Sequence, residues 1–580
     1  MKKLLLFLII TTTLYNCSSE SSSDDRPPEV VVTLPSLISI TVSSISQVSA
    51  VGGGNITDNG RGAITARGAC WSSTPNPTIA NNKTSDGVGI GSFTSSLTDL
   101  TLNTTYYVRA YATNSQGTAY GNEVSFTTSP ELVYDGSITL TTQQEVEDFG
   151  SNGYNRVTGG IDIRGNTIND LSSLKDLKNI GDDLYIRETS LTDFEGLDDL
   201  VYVGGLFNIF DNNSLLSVEG LNNLIEIGDG LRFYNNDVLV DISALESLVS
   251  VGGSLTIIDN GALTNTLGLH NLITIGKSLI VSECPSLVSL DLDSLTEVDL
   301  AHSWISIQIR ENNSLVDINL SELVWVGDSL EIEYNESLTN LSNLNKLSYL
   351  GYSLIISNNP NLTSMPFESL VTIDGYFSIH SNDALIDLDG LSSLISVRYD
   401  FRLEGNSSNL SSISGLGSLE TIGGDANILN TLVENLNAFR ELTTVGGNFS
   451  ITNNDSLENL EGLNKLSSVD GRFWISNNDS LLNLDGLEGL ISTGVDTLVG
   501  GVGLSLDIVN NDSLLNLNGL INFINAADGD GGLSIYNNDL LDDFCGLEAI
   551  VTGGAHSIYS VFSNSYNPTE QDIIDGNCSQ

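Results

Sequence analysis

The chain has 580 residues, with 73 acidic and 21 basic side chains and a formal net charge of −52. That balance argues against nucleic acid as a partner, because phosphate contacts need clustered Lys and Arg. In an exported protein it points instead to solubility and self-repulsion.

Met1-Lys2-Lys3 is a positively charged start, and Leu4 to Ile10 is an apolar run too short to cross a bilayer. Leu14-Tyr15-Asn16-Cys17 follows, then serines and acidic residues. This arrangement resembles a bacterial lipoprotein signal with its lipobox, although Asn16 stands where that family has a small residue. The resemblance implies removal of residues 1–16 and lipidation of Cys17; an ordinary secretory signal is the alternative. Several acyl chains would anchor the protein stably. Residues 17–29, Ser-rich with Asp24, Asp25, Pro27 and Pro28, read as a flexible tether. Ser22-Ser23-Asp24-Asp25 resembles the acidic export signal of Bacteroidetes-type surface lipoproteins. That resemblance implies a bacterial outer membrane location, lipid-anchored and exposed at the cell surface.

Residues 30–130 alternate short strand patterns with turns such as Gly52-Gly53-Gly54-Asn55, which predicts a small β-sandwich. The stretch from Leu97 to Gly117, with Tyr106, Val108, Ala110 and Ala112 alternating, resembles a fibronectin type III domain. Tyr106 matches that family's corner tyrosine, while Leu102 replaces its usual proline. The resemblance implies a spacer. Trp71 is expected in its core, with Cys70 as a core thiol.

Residues 131–545 are dominated by a repeat. From about residue 159 one unit of about 23–25 residues recurs about sixteen times, with consensus (I/V)-G-G-x-L-x-I-x-x-N-x-x-L-x-x-L-x-G-L-x-x-L. One copy runs Val251-Gly252-Gly253-Ser254-Leu255-Thr256-Ile257, then Asn260, Leu263, Leu267, Leu269 and Leu272. A period in this range means a solenoid. The L-x-I segment alternates as a half-buried strand does, and the remainder is too short and Gly-broken for ordinary helices. The fold class is therefore all-β: a long parallel β-helix or leucine-rich solenoid. The leucine register places longer steps before Leu315 and Leu514, so those coils carry loops, and one degenerate coil around Leu432.

The asparagines at 212, 236, 260, 312, 335, 359, 382, 454, 478, 511 and 537 are expected to stack as a buried ladder that satisfies backbone groups at each turn. Cys284 occupies the same position and reads as a small buried residue. The L-x-I-x-x-N segments and closing G-L-x-x-L-x-x-I-G segments, as in Gly220, Leu221, Leu224, Ile227 and Gly228, resemble receptor L-domain repeats. The spacing N-x-x-L departs from the N-x-L of a standard leucine-rich repeat. The resemblance implies a right-handed β-helical coil and says nearly nothing about the ligand.

Residues 546–580 leave the repeat and read as a C-terminal cap. Cys545 and Cys578 bracket it and are expected to form a disulfide, because an exported chain meets oxidising conditions.

No catalytic motif emerges. His270, His302, His380 and His556 form no metal-ligand spacing, and there is no nucleophile elbow or phosphate loop. Asp291-Leu-Asp293 and Asp528-Gly-Asp530 approach calcium loops without completing one. No cofactor is expected, and calcium stays an alternative partner without a supporting motif.

Outward positions of the strands carry more chemistry. One row reads Asp162, Tyr185, Asn208, Arg232, Thr256 and Ile280; the next reads Arg164, Arg187, Phe210, Tyr234, Ile258 and Ser282. Arg310, Arg402 and Trp474 lie further along. Arg164, Arg187, Phe210, Arg232 and Tyr234 are the candidate ligand-binding residues, since Arg and aromatic side chains dominate interfaces. The expected function is recognition of an extracellular protein or glycan at the cell surface. A passive structural surface protein and a carbohydrate-active enzyme are the alternatives.

Overall fold

The computed structural model describes residues 31–299, 306–406, 409–494, 503–526 and 531–580. The signal segment, Cys17, the tether, His302, Asp528 and Asp530 lie outside these residues. So do residues 300–305 and 495–502, which belong to the two long steps of the repeat. The chain divides into two compact units, Met1–Glu131 and Leu132–Gln580.

The first unit holds two antiparallel sheets. Ser36–Ser39, Ala50–Asp58 and Gly91–Leu97 form one; Asn82–Lys83, Ala66–Ser72, Thr105–Asn114, Gly117–Tyr120 and Val124–Thr127 form the other. Trp71, Leu97, Tyr106, Val108 and Phe126 pack between them, as in a β-sandwich. The Tyr106 hydroxyl accepts from the Thr101 amide at 2.9 Å and ties the turn to its strand. Cys70 is a buried free thiol whose pKa burial pushes up to about 11.

The second unit is a parallel β-solenoid of about seventeen turns. Its long strands make one 18-stranded sheet that runs from Ile138–Leu140 to Ile558–Phe562. Two-residue strands, such as Glu226–Ile227 and Ser250–Val251, stack as a second parallel ladder on another side. A typical coil thus passes through a four-residue strand, a turn, a third side that in many coils carries a short 3₁₀ piece, the short strand and, in most coils, a Gly corner. The alternation does what a half-buried strand requires. Leu255 and Ile257 point into the core at 0% exposure, and Thr256 and Ile258 point out. Phe377 stacks on Phe401 at 4.6 Å, and Phe449 on Phe473 at 4.9 Å, so the interior continues from coil to coil.

The turn after the long strand needs one residue with positive φ. Asp259 (56°), Asn358 (56°) and Asn453 (58°) supply it, side chains that tolerate this region. The next residue is the ladder asparagine. The Asn236 side chain donates to Ile209 O at 3.1 Å and Tyr234 O at 3.2 Å, while Asn260 Oδ1 accepts from the Asn236 amide at 3.3 Å. Cys284 stands in this ladder as expected: its amide donates to Asn312 Oδ1 at 3.1 Å, and its thiol approaches Ser282 O at 3.3 Å. Where the chain closes on itself, Gly220 holds φ at 101°, and a Cβ there would lie 2.0 Å from Phe194 O of the preceding coil.

Four details of the register differ from the sequence expectation. Asn538, not Asn537, is the buried ladder residue; Asn537 takes the positive φ (57°) and donates outside to Asn510 Oδ1 at 3.1 Å. Leu540 is correspondingly exposed and Leu541 buried. Asn406 joins the ladder, donating to Ile379 O at 3.1 Å, although one extra residue separates it from Leu410. Leu267 is exposed, because Thr266 takes the inward position and bonds the Asp291 amide at 2.7 Å. In the degenerate coil Val433 is buried and Leu432 faces outward.

Both ends are closed. At the start the helix Gln143–Gly150, opened by a capping box of Thr142 and Glu145, buries Val146 and Phe149 against the first coils. At the other end Cys545 and Cys578 form a disulfide with Cα atoms 4.9 Å apart. The long-strand sheet continues past Cys545 to Ile558–Phe562, so coil geometry persists into the stretch read as cap. The helix Glu570–Ile574 then buries Ile573.

Candidate functional site

Parallel pairing brings the outward rows together as the register predicts. Asp162 lies opposite Tyr185, then Asn208, Arg232, Thr256 and Ile280. Arg164 lies opposite Arg187, then Phe210, Tyr234 and Ile258. The five candidate residues therefore share one flat face, although they are scattered along the chain.

Their environments are not equivalent. Arg187 makes a two-point bond to Asp162, at 3.0 and 2.8 Å, and Arg164 approaches the same carboxylate at 3.6 Å. One carboxylate thus restrains two of the three arginines. The Arg187 guanidinium also lies 5.6 Å from the Phe210 ring centre. Tyr185 donates to Asp183 at 3.1 Å; burial, and then that carboxylate, raise its pKa. Arg232 is exposed and has no carboxylate within 4.0 Å among the described residues.

A shallow depression of about 600 Å³ opens beside Arg232. Phe210, Tyr234, Ile258 and Ile280 give it apolar walls, and Asn208, Asp211, Ser254 and Thr256 give it polar ones. Three candidates, Phe210, Arg232 and Tyr234, line it; Arg164 and Arg187 do not. No family model matches this chain, and no curated protein sequence does either. The surface must therefore be read from its own chemistry.

Further along, the arginines are also paired. Arg310 meets Glu311 at 2.7 Å, Arg402 meets Glu404, and Arg472 meets the buried Asp507 while lying 4.7 Å from the Trp474 ring centre. Burial, and then Arg402, lower the pKa of His380 on this face. Asp291 and Asp293 are engaged by Ser289 and Asn319. Among the described residues no three His, Cys, Asp or Glu side chains gather as a metal site, and no helix is long and apolar enough to cross a membrane.

Sequence reasoning missed one group. Trp325 and Tyr349 stack on neighbouring short strands, and Tyr352, Tyr376 and Tyr399 cluster at the corner that follows those strands. Their signal in the sequence is the run of aromatics near the G-x-x corner of consecutive units, outside the L-x-I strand.

Proposed function

We propose that the protein is a lipid-anchored binding protein of the bacterial cell surface, which recognises a macromolecular ligand through the long-strand face of its solenoid. The observation that carries this reading is the depression around Arg232. It places Arg232, which has no carboxylate within 4.0 Å among the described residues although Asp211 lines the same depression, among Phe210, Tyr234, Ile258 and Ile280, in a chain with net charge −52. Charged or aromatic side chains in a concave apolar setting are what affinity hot spots are made of. The sandwich unit serves as a spacer in this reading, and Cys17 carries the lipid.

The ligand test is an array of extracellular glycans and proteins probed with the full chain and with a Phe210→Ala/Arg232→Ala/Tyr234→Ala variant. Capture lost in the variant, with an unchanged melting temperature, supports the reading; equal capture by both removes the site. Labelling cells with an alkyne fatty acid tests the anchor, since Cys17→Ser should abolish incorporation. Protease shaving of intact cells tests surface exposure.

A further inference from the structure

The sandwich unit has two distinguishable ends. At one of them Leu37 lies opposite Ile56 and Ile56 opposite Gly91 in one sheet, and Ala66 lies opposite Thr113 in the other. The described chain enters here: Thr33 N donates to Gly60 O at 2.9 Å, and Asn114 Nδ2 donates to Thr33 O at 2.7 Å. It leaves at the other end, where Thr127 lies opposite Thr105, at the start of the strand that finishes at Asn114.

The entry end carries the most exposed large apolar side chains of this unit among the described residues. Val31 is 66% exposed, Val88 63% and Ile90 59%, against 50% for Val48 and 43% for Leu102 at the exit end. Val88 and Ile90 alternate with Gly87, Gly89 and Gly91, whose φ values are 93°, 86° and 98°. A Cβ on any of these glycines would meet nothing within 4 Å, so the loop stands clear of the sandwich.

The base of the loop is nonetheless fixed. Arg67 Nε donates to Asp86 O at 3.1 Å, and Nη1 donates to Gly89 O and Ile90 O at 3.3 Å. The same guanidinium lies 5.2 Å from the Phe93 ring centre. One side chain thus supplies donors that these carbonyls would otherwise take from water. That lowers the cost of drying the loop.

We propose that this end of the sandwich docks on the lipid bilayer, with Val31, Val88 and Ile90 entering the boundary between headgroups and acyl chains, a reading that rests on the lipid anchor at Cys17. Cys17 stands fourteen positions before Val31. A fully extended chain of that length reaches at most about 50 Å, so the anchor keeps the entry end close to the membrane. Such a tether makes docking intramolecular, and a few weakly inserting side chains then suffice. Charge agrees with a lipid surface. Asp58 and Arg61 share the turn beside Gly60, and Arg61 is exposed, where it can meet lipid phosphates. Asp86 accepts from Thr84 and Ser95 at 2.6 and 2.5 Å. Two carboxylates and two guanidiniums, those of Asp58, Asp86, Arg61 and Arg67, therefore balance here in a chain of net charge −52. Exposed apolar groups beside balanced charge are what an interfacial contact requires.

The test uses residues 18–580 with a histidine tag in place of Cys17, held by a nickel-chelating lipid on vesicles of phosphatidylethanolamine and phosphatidylglycerol. Val88→Cys carries an environment-sensitive nitrobenzoxadiazole dye; Cys70 and Cys284 are buried and escape labelling. Emission from residue 88 should rise severalfold on tethering, while the same dye on Thr98→Cys, at the exit end, should not change. Val31→Ser/Ile90→Ser should lower the docked population at least about tenfold, because two aliphatic side chains no longer leave water, with an unchanged melting temperature. Chelation replaces the acyl chain, so this signal is independent of Cys17 acylation. Failure of fatty-acid labelling with the dye signal intact would remove the anchor and leave the docking surface. Equal emission at residue 88 with and without vesicles, an equal rise at residue 98, no effect of the serine pair, or a rise with protein concentration in the absence of vesicles would each overturn the docking.

Discussion

Arg187 sits between two neighbours, bonded to Asp162 on the preceding coil at 3.0 and 2.8 Å and packed 5.6 Å from the Phe210 ring centre on the next. It joins three coils on the outside of the sheet, and its charge is already committed. Arg232, one coil beyond Phe210, has no such carboxylate among the described residues. The two arginines should therefore separate stability from binding. Arg187→Ala is expected to cost about 0.5–1 kcal/mol, the range of partly exposed ion pairs. Arg232→Ala should change stability by less than about 0.5 kcal/mol and weaken capture of the ligand. Urea midpoints measured alongside binding check this; a stability loss at Arg232 larger than at Arg187 would contradict it.

The asparagine ladder makes a sharper stability prediction. Asn260 donates to Phe233 O at 3.0 Å and Ile258 O at 2.9 Å and accepts from the Asn236 amide at 3.3 Å, with no exposure to water. Asn260→Ala leaves those buried groups unsatisfied and should cost about 2–4 kcal/mol. Cys284→Asn is the converse. Its new amide would reach the carbonyls of Ser282 and Ile257, which the thiol now contacts weakly at 3.3 and 3.9 Å. A gain of about 1 kcal/mol is expected, and a loss in denaturant midpoint would show that the ladder is not transferable at that coil.

The Cys545–Cys578 disulfide closes a loop of 33 residues. Loop-closure entropy for that length corresponds to about 3–4 kcal/mol. Reduction, or Cys545→Ser, should release the last coils before the rest of the solenoid. Hydrogen exchange that quickens in 545–580 while the coils around Asn260 stay protected is the expected pattern.

Cys70 and Cys284 have pKa values raised by burial from 9.0 to about 11. An acid whose folded pKa is raised stays protonated in the folded state while the unfolded chain ionises above about 9. Its contribution to stability is therefore complete below pH 9 and is lost as pH rises through 11. Neither thiol should react with iodoacetamide at pH 8 until the protein unfolds; rapid labelling of the native chain would refute the burial.

The solenoid was legible because its signal repeats. Every L-x-I segment and every closing G-L-x-x-L adds to one register, and Leu255, Ile257, Leu269 and Leu272 are all fully buried. Misreadings came where a coil departs by one residue. Around Asn537 the choice between two adjacent asparagines depends on which one takes the left-handed turn, and both residues suit it. At Leu267 the identity of the residue misled, since Thr266 has the inward place. The capping helix Gln143–Gly150 also lay outside the periodic pattern.

Sequence alone determined the period, the inward residues, the ladder position of Cys284 and the paired cysteines of the last coil, because each is a local pattern or a composition. Tertiary structure decided which charges are committed and which rings meet. Asp162 and Arg187 lie 25 residues apart in the chain yet bond directly, and Tyr352, Tyr376 and Tyr399 become one cluster only when coils stack. Those contacts depend on coil length and on the direction of each side chain, and a one-dimensional pattern carries neither to better than a residue.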